Sequence, residues 1–207
     1  MKSWSGGALC PLAECAHVTF VNGVPELIGA PEEPQTRALV RRGPHHLLAT
    51  VFLRRAGDRW RVLALASDGI ISVPAGFVDD PTHELPNELL NRIAVGLDAD
   101  DSDVLGVLQA YHRNSARIVR AGRRPLDRRS SRFAWVEQCT ACVVIDDALA
   151  ERIPVGVNDL AWFDSNVPTQ TETAMHIRHA IAAASVPRFD VVVCAWFVSM
   201  LIAAMLA

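Results

Sequence analysis

Between Leu47 and Gly96 the sequence sets out two apolar runs, a tight turn, a third short run and a helix, and this order limits the fold more than any other feature. Leu47 to Arg54 is rich in β-favouring residues, Ala56-Gly57-Asp58 follows as a turn, and Arg61 to Ala66 is a second run, so the pair reads as a hairpin. Asp68-Gly69 turns the chain again into Ile70 to Val73. That strand leads into Pro74-Ala75-Gly76 and a polar loop, Asp79 to His83. Pro86 to Val95 then reads as a helix, because Leu85, Leu89, Leu90 and Ile93 recur at helical spacing and give one buried face. Proline suits the first helical turn, where its missing N–H has no partner to lose. Gly96 fits the left-handed position that closes many helices.

Further along, Val104 to His112 reads as a strand, Arg113 to Arg132 as an arginine-rich loop and Phe133 to Ile145 as another strand. Asp146 to Ile153 is a connection with one helical turn, and Leu160 to Phe163 a short strand. Thr171 to Ala184 is a helix, with Thr171 suited to cap it and Pro187 to stop it. Upstream, glycines and prolines punctuate residues 1–38 every few positions. That region reads as an irregular arm laid against the domain, with His17 to Val21 as a short strand and Asn22-Gly23 as its turn.

A chain of 207 residues, half of them apolar, can bury one substantial core. Its formal net charge of −3 gives no global case for a nucleic-acid partner, and none is expected. Five cysteines at loose spacing do not make a secreted disulfide framework. No long apolar run follows Lys2, so a signal peptide is not expected and the body of the protein belongs in a reducing cytoplasm.

Three segments together resemble the Nudix family. Val73-Pro74-Ala75-Gly76-Phe77-Val78 is similar to the approach to the family's signature, and Val95-Gly96-Leu97 to its close. Asn158-Asp159-Leu160-Ala161-Trp162-Phe163, with Pro168 and a last helix behind it, is similar to the family's acidic-x-x-Trp strand. The likeness covers roughly residues 45–184. It implies a Nudix-like α/β/α sandwich with a mixed sheet, a nucleoside-diphosphate derivative as ligand and Mg²⁺ as cofactor.

The family's helix carries glutamates at i, i+3 and i+4, on one face, where they hold Mg²⁺ against a diphosphate. Alignment on Gly96 puts Leu90, Ile93 and Ala94 at those positions, and none can ligate a metal. Alignment on Glu88 puts Asn91 and Arg92 there, and a guanidinium repels the ion. Glu84 and Glu88 remain as a carboxylate pair at i and i+4. They are the candidate catalytic residues and, with Asp79 and Asp80, the candidate metal ligands. The alternative for both glutamates is a solvated helix start favoured by the helix dipole. Arg92, Arg113, Arg117, Arg123 and Arg124 are the candidate substrate-binding residues. The arginine block could equally meet lipid headgroups or RNA, or stay solvated.

Cys139 and Cys142 lie three apart in a strand, so they point to opposite faces and cannot easily share a zinc ion. Cys10, Cys15 and His17 lack a fourth ligand for one. His45-His46 reads as an exposed pair, and Asp98, Asp100, Asp101 and Asp103 as a solvated acidic turn.

Val191 to Ala207 carries no charge and is apolar all round. It sits at the short limit of a membrane-spanning helix, which needs about 20 residues. Arg178 and Arg188 precede it, as on a cytoplasmic flank. The expected organisation is therefore an irregular arm over 1–38, a Nudix-like domain over 39–187 and a tail over 188–207 that anchors the protein to the cytoplasmic face of a membrane. A buried helix or homodimer contact is the alternative for the tail. Three functions follow: binding of a nucleoside-diphosphate derivative with weak or lost hydrolysis, Mg²⁺-dependent hydrolysis, or membrane-bound interaction without a nucleotide.

Overall fold

The computed structural model describes residues 18–22, 24–34, 39, 43–98, 101–123, 128–166, 169 and 171–186. The expected tail over 191–207, the candidate ligands Cys10, Cys15 and His17, and Arg124 lie outside the described residues. Among the described residues, no helix is long and apolar enough to cross a membrane.

The strands are β1 (Val18–Val21), β2 (Val24–Leu27), β3 (Gly43–Ala56), β4 (Arg59–Ser67), β5 (Ile70–Ser72), β6 (Ala75–Val78), β7 (Arg117–Arg123), β8 (Ala134–Val144) and β9 (Leu160–Asp164). The helices are α1 (Asn87–Val95), α2 (Val104–Ser115), α3 (Asp147–Arg152) and α4 (Thr171–Ser185). β1 and β2 form a separate hairpin, with Asn22 at its turn in the left-handed region at φ 53°. The hairpin is fastened to the domain where Leu27 N–H donates to the Arg132 carbonyl and Arg132 N–H to that of Pro31.

The main sheet is mixed and runs β5-β4-β3-β8-β7. Its spine is the parallel pairing of β3 with β8, from Gly43 opposite Ala134 to Leu53 opposite Val144. The other edge of β3 is shared: β6 pairs antiparallel with His46 to Ala49, and β4 with Leu53 to Ala56. β9 adds to β4.

Strand alternation sends successive side chains to opposite faces and so produces two cores. On one face, Phe52, Leu63, Val143 and Leu160 pack with Leu85, Leu89, Ile93, Val104 and Leu108, under α1, α2 and α3. On the other, Ala49, Val51, Leu53, Val62 and Cys142 meet Ile177 and Ala180 of α4. The result is an α/β/α sandwich. Each fully buried aliphatic side chain contributes roughly 1.5–3 kcal/mol. Cys139 and Cys142 fall in different cores, and both are buried.

Four sequence expectations are corrected. Val104 to His112 is helix, not strand, because Val104, Leu108 and His112, spaced four apart, form its buried face. The stretch from Arg113 to Arg132 is not one loop: Arg113 lies in the last turn of α2, and Arg117–Arg123 is a strand paired with β8. Gly96 closes α1 at φ −98°, in the right-handed region. Its need for glycine is spatial, since an added Cβ would lie 2.7 Å from Pro154 Cβ. His46 is fully buried rather than exposed.

Candidate functional site

The segment with signature-like residues runs from β6 through a tight loop into α1. β6 and α1 approach so closely that a Cβ on Gly76 would sit 2.8 Å from Pro86 Cβ. Pro86 caps the helix with φ −57°, and the first turn begins at Asn87.

Within this segment the candidate carboxylates already have partners. Glu84 Oε2 accepts the backbone N–H groups of Asp79, at 2.8 Å, and Asp80, at 3.3 Å. Asp80 Oδ1 accepts from Thr82 N–H at 2.8 Å and from its hydroxyl, while Oδ2 lies 2.8 Å from His83 Nδ1. Burial works to raise the Asp80 pKa, but the Thr82 and His83 hydrogen bonds and the His83 charge outweigh it and hold the group down at about 2. Glu88 Oε1 meets Arg92 Nη2 at 3.2 Å, and Asp79 is exposed.

Among the described residues, no three histidine, cysteine or acidic side chains stand close enough to hold a metal ion. The set present therefore does not fit Mg²⁺: two oxygens of the loop serve as turn caps, and a guanidinium occupies the helix position beside Glu88. In the acidic turn beyond Gly96, Arg152 binds both Asp101 and Asp103, which remain open to solvent.

The candidate arginines are dispersed. Arg92 donates to Glu88 and to the Asn158 carbonyl at 3.2 Å. Arg113 is exposed on the last turn of α2. The neighbouring His112 ring reaches the loop, its Nε2 lying 3.1 Å from the Pro81 carbonyl. Arg117 lies on the opposite face, where it donates to the Ala183 carbonyl and, at 3.2 Å, to that of Val186, closing the end of α4. Arg123 ends β7, opposite Glu137. Arg129 stacks its guanidinium 4.8 Å from the Phe77 ring centre on β6.

Beneath the loop lies a buried polar row that sequence reasoning passed over. Val78 of β6 pairs with His46 of β3, which pairs with Glu137 of β8. His46 is fully buried and Glu137 is 4 % exposed. Glu137 Oε1 accepts from Trp135 Nε1 at 3.1 Å, and Oε2 lies 3.6 Å from His46 Nδ1. Oε2 has no hydrogen-bond partner among the described residues. His112, on α2 above the loop, is likewise fully buried, and burial lowers its pKa against the raising effects of Pro81 and Asp80. Strand parity carried the signal: Glu137 shares its face with Trp135, Cys139, Ala141 and Val143, all of them buried.

A separate open cavity of about 230 Å³ lies by the β1–β2 hairpin, lined by Glu26, Leu27, Ile28 and Arg132 among others. Glu26 and Arg132 form an ion pair across it at 2.6 Å.

No protein-family model and no curated protein matches the chain. Among solved structures it is similar to NrtR of Shewanella oneidensis, with 15 % identity and a TM-score of 0.41 over 65 % of this chain and 60 % of that one. It thus spans about 60 % of the length of that protein. It is similar to the Nudix domain of the same NrtR in complex with ADP-ribose, with 14 % identity and a TM-score of 0.41, covering 70 % of this chain and 90 % of the domain. A third is a MutT/Nudix family protein of Listeria innocua, with 12 % identity, a TM-score of 0.40 and coverage of 71 % and 96 %. The NrtR domain and the Listeria protein to which this chain is similar are a Nudix domain and a MutT/Nudix family protein.

Proposed function

We propose that the chain binds a nucleoside-diphosphate derivative through a Nudix-like domain and turns it over weakly or not at all. One observation carries the second half of this reading. Glu84, Asp80 and Glu88 each hold a partner in their own loop or helix, and among the described residues no three acidic, histidine or cysteine side chains converge on one point as a divalent ion needs. The first half rests on the resemblance of the strand order and helix ends, and on Arg113. That arginine is exposed on the last turn of α2, next in sequence to His112, whose ring reaches the loop, and a bidentate guanidinium can meet a diphosphate. The NrtR domain's complex with ADP-ribose makes that compound the first probe.

Calorimetry with ADP-ribose and nucleoside diphosphates, with Mg²⁺ or with chelator, tests the reading. The expected result is an affinity indifferent to Mg²⁺ and little or no cleaved product. Efficient magnesium-dependent cleavage would overturn it in favour of a working hydrolase. The proposal also places the domain at the cytoplasmic face of a membrane through 191–207. Membrane fractionation of the whole chain against one ending at Ala184 checks that part.

A further inference from the structure

The end of the sheet remote from the signature loop has a chemistry of its own. β3 and β4 project there as a hairpin carrying Arg54, Arg55, Arg59, Arg61 and Trp60 around the turn at Gly57. Arg55, Arg59 and Arg61 are exposed. Arg55 stacks 4.8 Å from the Trp60 ring centre, which holds a cation beside an indole at the tip. Acidic groups at this end are Asp58 in the turn, Asp164, paired with Arg59 at 3.4 Å, and Asp146 and Asp147 where β8 ends. Asp146 caps Leu149 N–H and accepts from Tyr111. It lies with α3, on the face away from Arg55 and Trp60.

α4 finishes at this same end. Thr140 bonds His176, and Cys142 bonds the Ala180 carbonyl, so the helix advances along β8 towards Val144, which is level with Leu53 and Val62. Trp60, Ile181 and Ala184 pack on one core cluster. Arg117 closes the helix, and Val144 and Val186 are exposed by 40 % and 57 %. The last described residues thus lie at this same end of the sheet, held to Arg117 of β7, and the uncharged apolar run Val191 to Ala207 follows in sequence, outside the described residues.

We infer that this end of the domain docks on an anionic lipid surface. Arginine, a half-buried tryptophan and exposed valines, at the end of the domain where α4 finishes, are what a headgroup layer binds. The inference rests on the tail-anchor reading and adds an orientation to it. Arg55 and His46 lie on one strand, about 30 Å apart at roughly 3.3 Å per residue. The signature loop thus faces away from the bilayer.

The test uses the full chain with vesicles of phosphatidylcholine, alone or with phosphatidylserine. Flotation reads the tail, and hydrogen exchange over 54–61 reads the tip. The chain is expected to float with both vesicles. Exchange at the tip is expected to slow only on the anionic ones, by about fivefold for each arginine engaged. High salt and the double variant R55E/R61E should abolish the slowing, and R55K/R61K should restore it. Flotation with equal tip exchange on both vesicles overturns docking and leaves the anchor standing. Flotation with neither overturns both. Protection of the tip by RNA but not by lipid also overturns the inference.

Discussion

Arg92 and Asn158 exchange hydrogen bonds: the guanidinium donates to the Asn158 carbonyl at 3.2 Å, and the Asn158 amide donates to the Arg92 carbonyl at 3.2 Å. This closes the C-terminal end of α1 against the turn before β9. Asn158 sits at φ 52°, which asparagine tolerates better than most residues. Asn158→Ala should cost about 2 kcal/mol, from one lost bond and the left-handed strain. Asn158→Gly loses the bond but not the backbone ease, and should cost about half as much. Urea unfolding of the two variants separates the contributions, and equal losses would remove strain from the account.

Gly96 and Gly106 make opposite predictions under one substitution. At Gly96 a new Cβ meets Pro154, with Cβ at 2.7 Å and Cγ at 2.9 Å, so Gly96→Ala should destabilise by about 1–3 kcal/mol. Gly106 lies inside α2 with open space around it, and Gly106→Ala should stabilise by about 0.5–1 kcal/mol. Thermal melts of both proteins are sufficient.

Glu84 distinguishes a turn cap from a metal ligand. Glu84→Ala removes the acceptor for two backbone N–H groups and should lower stability by about 1–3 kcal/mol. Mg²⁺ or chelator should leave the melting temperature of the parent and the variant unmoved. A Mg²⁺-dependent rise in the parent that Glu84→Ala abolishes would make the residue a ligand.

His112 sets an acid limit. Its folded pKa lies below the ordinary 6.5 because burial disfavours the imidazolium, while Pro81 and Asp80 favour it and His83 opposes it. The unfolded chain therefore takes up a proton first as pH falls. The contribution of His112 is complete above about pH 6.5 and is lost on the way down to its folded pKa. Asp80 acts lower, its contribution present above 3.8 and lost as pH falls through about 2. In His112→Phe the decline of melting temperature just below pH 6.5 should flatten. An unchanged slope would assign that limb to another group.

Much of the architecture was legible where side-chain period and turn residues agree. The β3–β4 hairpin, the helix from Asn87 to Val95 and the helix from Thr171 follow from alternation or helical spacing bounded by Gly, Asp-Gly and Pro. α2 was misread because its short apolar stretch suits either element, and only burial at Val104, Leu108 and His112 decides. The candidate site was legible as absence, since Leu90, Ile93 and Ala94 bear no oxygen. Its positive content was not. That Glu84 bonds its own loop depends on a turn geometry that no spacing rule specifies. The His46–Glu137 neighbourhood requires two strands distant in sequence to lie side by side.

The parallel union of β3 and β8 also governs how the polypeptide must be made. β3 emerges from the ribosome early and waits, the edge that β8 will take still unpaired, while everything from β4 to β7 is synthesised. Premature termination between Ala56 and Ala134 would release a nascent product with an adhesive apolar ribbon that lacks its parallel mate. Such fragments are substrates for chaperones or for aggregation rather than small working domains.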